Sequence, residues 1–446
     1  MTFPVQNAAT IGSEDGEYDS DGIVFGIATA GGGARAAAYT LGAFHALEDI
    51  TVIVDGKQAS ALSLLDFVSG TSGGAWGAGA YVADRTAWTL SGQDDADYSL
   101  RDRRRAISEA LALGTTVKPR NNRFERMNTA FSDGVTFGEA KAAGQPDVFF
   151  NATIYPSEAP FVFSDAYFAA YRVRELSVLK ESEFPEANGV AALPIALGAF
   201  VSGAIPGFYQ LDARTDICDD ARYADGTYCA FEIKRRFRTN IKDEREHLTL
   251  IDGGVFDNYG YRTAFEVLDR FKDRHINRVI IQIDTTTNFP HHFSIGRPNV
   301  RLGTIKNRPS FLHQDAVYRR TIAQMGDVRG FEPIIIDGLA ALTTEGDYVI
   351  PVGTNLWNEA QTMRPNTGCE TGSYCALDNE VSAYWRAGRA SKVSFLYDFQ
   401  QGEIENLSEQ DPWGDDWGQG TLMWQLGYMS TMNRRSEIVA AFEGTH

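Results

Sequence analysis

Cysteine is scarce in this chain: four among 446 residues. No pair has the Cys-x-x-Cys spacing, which excludes the zinc and redox motifs built on it. Long apolar runs are missing as well. No segment approaches the roughly 18 consecutive apolar residues that read as a membrane-spanning helix. Basic charge is short: 41 Lys and Arg stand against 59 Asp and Glu, a formal net charge of −18. Binding nucleic acid relies on Lys and Arg neutralising phosphates, so no nucleic-acid partner is expected. Adsorption to anionic membranes by charge alone is disfavoured for the same reason. No cluster of His, Asp and Glu has metal-ligand spacing, and neither a metal nor another cofactor is expected. Met1 to Asp21 holds Glu14, Asp15, Glu17, Asp19 and Asp21 and lacks a charged-plus-apolar secretory pattern. Residues 1–20 therefore read as a flexible acidic segment or as the trimmed start of a mature secreted chain. No internal repeat is visible.

What is present is the composition of a folded domain, 43% hydrophobic. Three strand-like runs each end in a glycine-rich turn. Leu64 to Val68 leads into Gly70-Thr71-Ser72-Gly73-Gly74, and a helix-like stretch follows from Ala75 to Val82. A serine between glycines at a strand–turn–helix junction is the setting of a nucleophile elbow. Ile23 to Ala30 ends in Gly31-Gly32-Gly33-Ala34-Arg35-Ala36, again before a helical pattern. Consecutive glycines let backbone N–H groups converge on an oxyanion or a phosphate. Leu248 to Ile251 ends in Asp252-Gly253-Gly254. Taken alone, Asp252 reads as a turn aspartate.

These segments admit rival readings. Gly31-x-Gly33-x-x-Ala36 also satisfies a dinucleotide-binding pattern, and Asp55 ends the run Thr51 to Val54 at the expected separation. A Rossmann oxidoreductase would follow, although it leaves Ser72 and Asp252 unexplained. A Ser-His-Asp α/β-hydrolase would draw its base from His275, His291, His292 or His313. A lipid-binding module without catalysis is a third class, against which an intact Ser72 and Asp252 argue.

Taken in order, Gly31-Gly32-Gly33-Ala34-Arg35, Gly70-Thr71-Ser72-Gly73-Gly74 and Asp252-Gly253-Gly254 resemble the motifs of patatin-like and cytosolic phospholipase A-like acyl hydrolases. Ala199 to Gly207 resembles the family's Ala-Ile-Pro segment, and Asp252 to Asn258 the longer aspartate motif of bacterial members. The resemblance spans roughly residues 21 to 290. It implies a three-layer α/β/α fold with a mostly parallel central sheet. It also implies a Ser–Asp dyad of Ser72 and Asp252, with backbone amides of Gly31, Gly32 and Gly33 as the oxyanion hole. Arg35 is either a ligand for a substrate phosphate or an internal anchor of the glycine loop. The implied reaction is hydrolysis of lipid carboxylic esters, phospholipid or lysophospholipid favoured, with transient contact to a membrane or micelle.

The expected organisation is a catalytic domain over 21–337 and a C-terminal extension over 338–446 packed on the core. Strands are expected at Asp147 to Tyr155, Val279 to Asp284 and Pro333 to Asp337. Helices are expected at Arg101 to Leu113, Tyr261 to Phe271, His313 to Met325 and Leu377 to Phe399, with an acidic loop from Glu403 to Trp417. Five of the seven Trp lie in the extension: Trp357, Trp385, Trp413, Trp417 and Trp424. They are expected to serve ordinary packing of the extension, an interfacial lid or the wall of an acyl pocket. Arg101 to Arg105 and Lys234 to Arg236 read as solvated faces. Cys218 with Cys229 and Cys369 with Cys375 form two local pairs. As disulfides they would place the chain in an oxidising, extracytoplasmic or secreted setting; the alternative is four cytosolic thiols. Asn151-Ala152-Thr153 and Asn406-Leu407-Ser408 match the glycosylation acceptor pattern.

Overall fold

A computed structural model describes residue 18 and residues 22–115, 123–131, 134–155, 159–171, 173–178, 182–183, 189–204, 211–215, 247–271, 277–284, 347–352 and 419–443. The four cysteines, the four candidate histidines, Lys234 to Arg236, Asn406 and the segments expected at 313–325, 333–337, 377–399 and 403–417 lie outside the described residues.

Strand β1 (Ile23–Thr29) is buried along its whole length. Ile23, Phe25 and Ile27 enter one core, Val24 and Ala28 another. A strand buried on both faces needs an unbroken apolar run, and this segment supplies one. The other strands are β2 (Thr51–Val54), β3 (Lys57–Ser60), β4 (Phe67–Thr71), β5 (Asp147–Tyr155), β6 (Ala159–Val162), β7 (Val173–Val178), β8 (Ser182–Glu183), β9 (Leu211–Thr215), β10 (His247–Asp252), β11 (Asn277–Ile283) and β12 (Asp347–Val352). The main sheet runs β12-β11-β1-β4-β5-β10-β9-β7-β8, with β6 also paired to β5. From β12 to β5 the neighbours are parallel, and beyond β5 they are antiparallel.

The helices are α1 (Gly33–Asp49), α2 (Gly73–Leu90), α3 (Leu100–Thr115), α4 (Arg123–Ala130), α5 (Phe137–Ala142), α6 (Asp165–Ala170), α7 (Ile195–Ser202), α8 (Tyr261–Asp269), α9 (Gln419–Met432) and α10 (Arg435–Glu443). One face of the sheet is covered through Phe44 of α1, Tyr81 of α2, Met127 of α4, Phe200 of α7 and Phe442 of α10. The other face is covered by α8 through Ala264, Val267 and Leu268. The architecture is three-layered α/β/α, with its parallel centre made by β1, β4, β5, β11 and β12.

The dinucleotide expectation fails on topology. Its second strand should lie parallel beside β1. Instead β2 pairs antiparallel with β3 in a separate two-stranded hairpin, and the neighbours of β1 are β11 and β4. The cause is local. Asp55 and Gly56 have φ of 52° and 74°, the two positive angles of a tight hairpin turn.

Within 338–446, β12 continues the parallel sheet beside β11, and α9 lies along α1. The two helices approach through reciprocal glycines. A Cβ on Gly42 would meet the Trp424 carbonyl, and one on Gly427 would meet the Tyr39 carbonyl. The Arg101 to Arg105 cluster is not one solvated face. Arg103 grips Asp84 at 2.6 and 2.9 Å. Arg104 is buried, its guanidinium 5.4 Å from the Trp424 ring centre.

Candidate active site

Ser72 stands between β4 and α2 with φ 51° and ψ −119°. A side chain rarely adopts that conformation. The flanking glycines are fixed by contact. A Cβ on Gly70 would sit 2.8 Å from Ala75 Cα, one on Gly74 2.6 Å from the Ala30 carbonyl, and one on Gly73 would strike the Gly33 carbonyl. The elbow and the glycine loop are thus pressed together, backbone to backbone. Both helices that begin here, α1 at Gly33 and α2 at Gly73, lack a side-chain N-cap. Two positive helix ends therefore face the serine.

Asp252 arrives from the end of β10 and is fully buried. Ser72 Oγ donates to its Oδ2 at 3.0 Å, and Gly254 N–H donates to Oδ1 at 2.8 Å. Its backbone is held at both ends: its N–H donates to the Ala204 carbonyl at 2.9 Å, and its carbonyl accepts from Thr153 Oγ1 at 3.0 Å. Burial pushes the carboxyl up to about 7, opposed by the hydrogen bonds from Gly254 and Ser72. Asp257, five residues on, has a different task. Its carboxylate accepts the N–H groups of Tyr259, Gly260 and Arg262 and so shapes the turn into α8.

The glycine loop divides its amides. Gly31 N–H donates to the Asn258 carbonyl at 2.7 Å. Gly32 and Gly33 have φ of 150° and 66° and lead into α1. Arg35 belongs to the first turn of α1, but its side chain lies outside the described residues. Among the described residues, no three His, Cys, Asp or Glu side chains form a metal-holding group. Among them, too, no helix is long and apolar enough to cross a membrane.

Two residues behind the site take roles that the sequence did not assign them. Ser202, at the end of α7, accepts the Ser72 N–H on its Oγ at 2.9 Å and donates to the Asn151 carbonyl at 2.6 Å. Asn151 is buried in β5, so it is no glycosylation acceptor in the folded chain. Its Nδ2 reaches Ser69 Oγ at 3.0 Å, the Gly70 carbonyl at 3.0 Å and Thr71 Oγ1 at 3.2 Å. Its Oδ1 accepts from Thr263 Oγ1 at 2.6 Å.

The sequence model described as patatin-like phospholipase matches residues 27–265, more than half of the chain. The chain belongs to this family. In it the elbow, the glycine loop and the aspartate turn all fall within the patatin-like segment. Among solved structures, human GIVD cytosolic phospholipase A2 is similar at 12% identity, over 96% of this chain and 63% of that one, with a TM-score of 0.42. The same human protein in complex with methyl gamma-linolenyl fluorophosphonate gives 13% identity, 95% and 59% coverage, and a TM-score of 0.42. This chain spans less than two thirds of the length of those structures. Comparison with curated proteins finds no match.

Proposed function

We propose that this patatin-like chain is a serine acyl hydrolase that cleaves carboxylic esters of lipids, with phospholipid or lysophospholipid as the favoured class. The observation that carries the reading is the 3.0 Å contact between Ser72 Oγ and Asp252 Oδ2. No imidazole stands between the two groups, so the chemistry is that of a dyad. Ser72 Oγ attacks the ester carbonyl while Asp252 Oδ2 takes its proton. The bond to the leaving alcohol then breaks, and Asp252 returns the proton to that oxygen. Water, deprotonated by the same carboxylate, attacks the acyl-serine; the bond to Ser72 Oγ breaks and Asp252 returns that proton to Oγ, releasing the acid.

An ordinary aspartate, with a pKa of about 3.9, is a weak base for a hydroxyl. Raised to about 7, Asp252 is a far better one and is about half ionised in neutral solution. The tetrahedral oxyanion falls to the amides of Gly32 and Gly33, each such donor being worth roughly 3 kcal/mol. Gly31 shapes the loop, its own amide being engaged by Asn258. Arg35, in the first turn of α1, would either receive a substrate phosphate or anchor the glycine loop. With a net charge of −18, contact with a lipid surface would rest on apolar insertion or on dispersed substrate.

The test is to incubate the protein with a labelled fluorophosphonate, map the modified residue and profile a lipid-ester panel. Label on Ser72 and ester turnover that Ser72→Ala abolishes are expected. Label elsewhere, or turnover by Ser72→Ala, would defeat the reading.

A further inference from the structure

We infer that Ser202 and Asn151 are positioning residues for acyl transfer: together they hold the nucleophile's strained backbone in register with the base. The inference rests on the dyad reading and gives a role to Ser202, within the Ala199 to Gly207 segment, and to Asn151, outside the motifs.

Ser202 Oγ has a single proton, so the direction of its bonds is fixed. It gives that proton to the Asn151 carbonyl at 2.6 Å and accepts the Ser72 N–H at 2.9 Å. The Ser72 amide is thereby tied behind the elbow, leaving the oxyanion to the glycine loop. Asn151 holds the strand that delivers the nucleophile, bonding residues 69, 70 and 71 in turn. It also abuts the residue after the base: a Cβ on Gly253, next to Asp252, would collide with the Asn151 carbonyl. One pair of residues therefore contacts the nucleophile and the residue that follows the base. Ser69, Asn151, Ser202 and Thr263 are all at most 5% exposed. Buried polar clusters lose free energy unless every member is satisfied, so a site needing only packing would be filled more cheaply by apolar side chains. What this cluster adds is direction at a backbone held at φ 51°. A positive φ at a non-glycine residue stores strain and persists only where its surroundings over-determine it.

Ser202→Ala removes the bond to Ser72 while keeping the cavity nearly full. Misplacement by about 1 Å can lower a rate roughly 100-fold, so kcat should fall about 10- to 100-fold. KM should stay within about twofold, since no substrate contact is lost. The pH midpoint set by Asp252 should not move, and fluorophosphonate labelling of Ser72 should slow in parallel with kcat. Ser202→Cys keeps the size with a weaker donor and acceptor and should fall between. It carries the test if the alanine variant does not fold. Both are measured well below their unfolding transitions, where a purely structural role would leave kcat unchanged. A folded variant whose kcat stays within about twofold of the parent, or one that loses only KM, would overturn the inference. Ser72→Ala measured alongside separates the two claims. If it still turns over ester, the dyad reading falls; if it is inactive while Ser202→Ala is fully active, only the positioning role falls.

Discussion

Two buried polar clusters touch α1, and they treat their titrating groups in opposite ways. At its N-terminal end, Asp252 is desolvated with a hydroxyl and an amide for partners, and its pKa climbs to about 7. Farther along, His45 accepts from Trp424 Nε1 at 3.3 Å on its Nδ1, with Asp49 3.9 Å from Nε2. Tyr428 donates to the same Asp49 at 2.8 Å. Burial lowers His45 to about 4 in spite of Asp49, and Arg104 beside it is lowered to about 10. Desolvation favours the neutral form in each case. For Asp252 this brings the proton equilibrium into the working range of a base. For His45 it moves the equilibrium out of that range and leaves a neutral spacer between helices. Burial alone does not mark a catalytic group; what matters is which side of neutrality it leaves the group on.

The sharpest break of this comparison is in turnover. Ser72→Ala and Asp252→Asn should each lower kcat about 10⁴-fold or more, and the double variant should be little worse, because groups that act as a unit are not additive. Additive losses in a double-mutant cycle would show that the two act separately. The parent's kcat/KM should rise about tenfold per pH unit below 7 and level off above if the ionised carboxylate is the proposed base. A profile already flat from pH 5 would place the base elsewhere.

Stability should move the other way. Asp252 has a folded pKa above its unfolded value, so its contribution is full below about pH 4 and is lost as pH rises through 7. Asp252→Asn keeps the shape, can accept from Gly254 and can donate to Ser72. At pH 8 it should be more stable than the parent by about 4 kcal/mol, one pKa unit being about 1.36 kcal/mol. Denaturant titration should show that gain vanish near pH 4.

His45 carries a smaller total contribution of opposite sign. Its folded pKa lies below its unfolded value, so its contribution is present above pH 6.5 and is lost as pH falls towards 4. Between about pH 4 and 6.5 the two slopes oppose each other. His45→Gln should unmask the Asp252 slope, so that stability falls with rising pH by about 3 kcal/mol over that window. A parent and a His45→Gln protein with superimposable stability profiles would mean that His45 is not held neutral.

The parts of this site that one segment encodes were legible in the sequence. Ser72 and Asp252 each sit where an apolar run meets glycines, and Asp147–Tyr155 is read to the residue because its apolar run is bounded by turn residues on both sides. What was illegible comes from distant segments. Ser202 meets Ser72 across 130 positions, and Thr263 meets Asn151 across 112. Asn151 was disguised by Thr153, which completes a glycosylation pattern but in the fold bonds the Asp252 carbonyl. Asp55 was misleading for a related reason. The apolar run before it is a strand, and the Asp-Gly pair that makes it a hairpin was the overlooked signal.

The reciprocal glycine contact between α1 and α9 bears on timing during synthesis. Trp424 meets His45 across 379 residues. At about 5–20 residues per second, a ribosome would need roughly 20–75 s to deliver α9 after α1. The elbow and the aspartate turn both emerge before that helix does. Until it arrives, the face of α1 around Gly42 lacks the Trp424 backbone it presses against, and α1, whose first residues adjoin the elbow, is incompletely packed. Hydrolytic competence should therefore appear late on the nascent chain, well after Ser72 and Asp252 have left the exit tunnel. Chains stalled before residue 419 should resist fluorophosphonate, and full labelling of such chains would show that the glycine loop is set without α9.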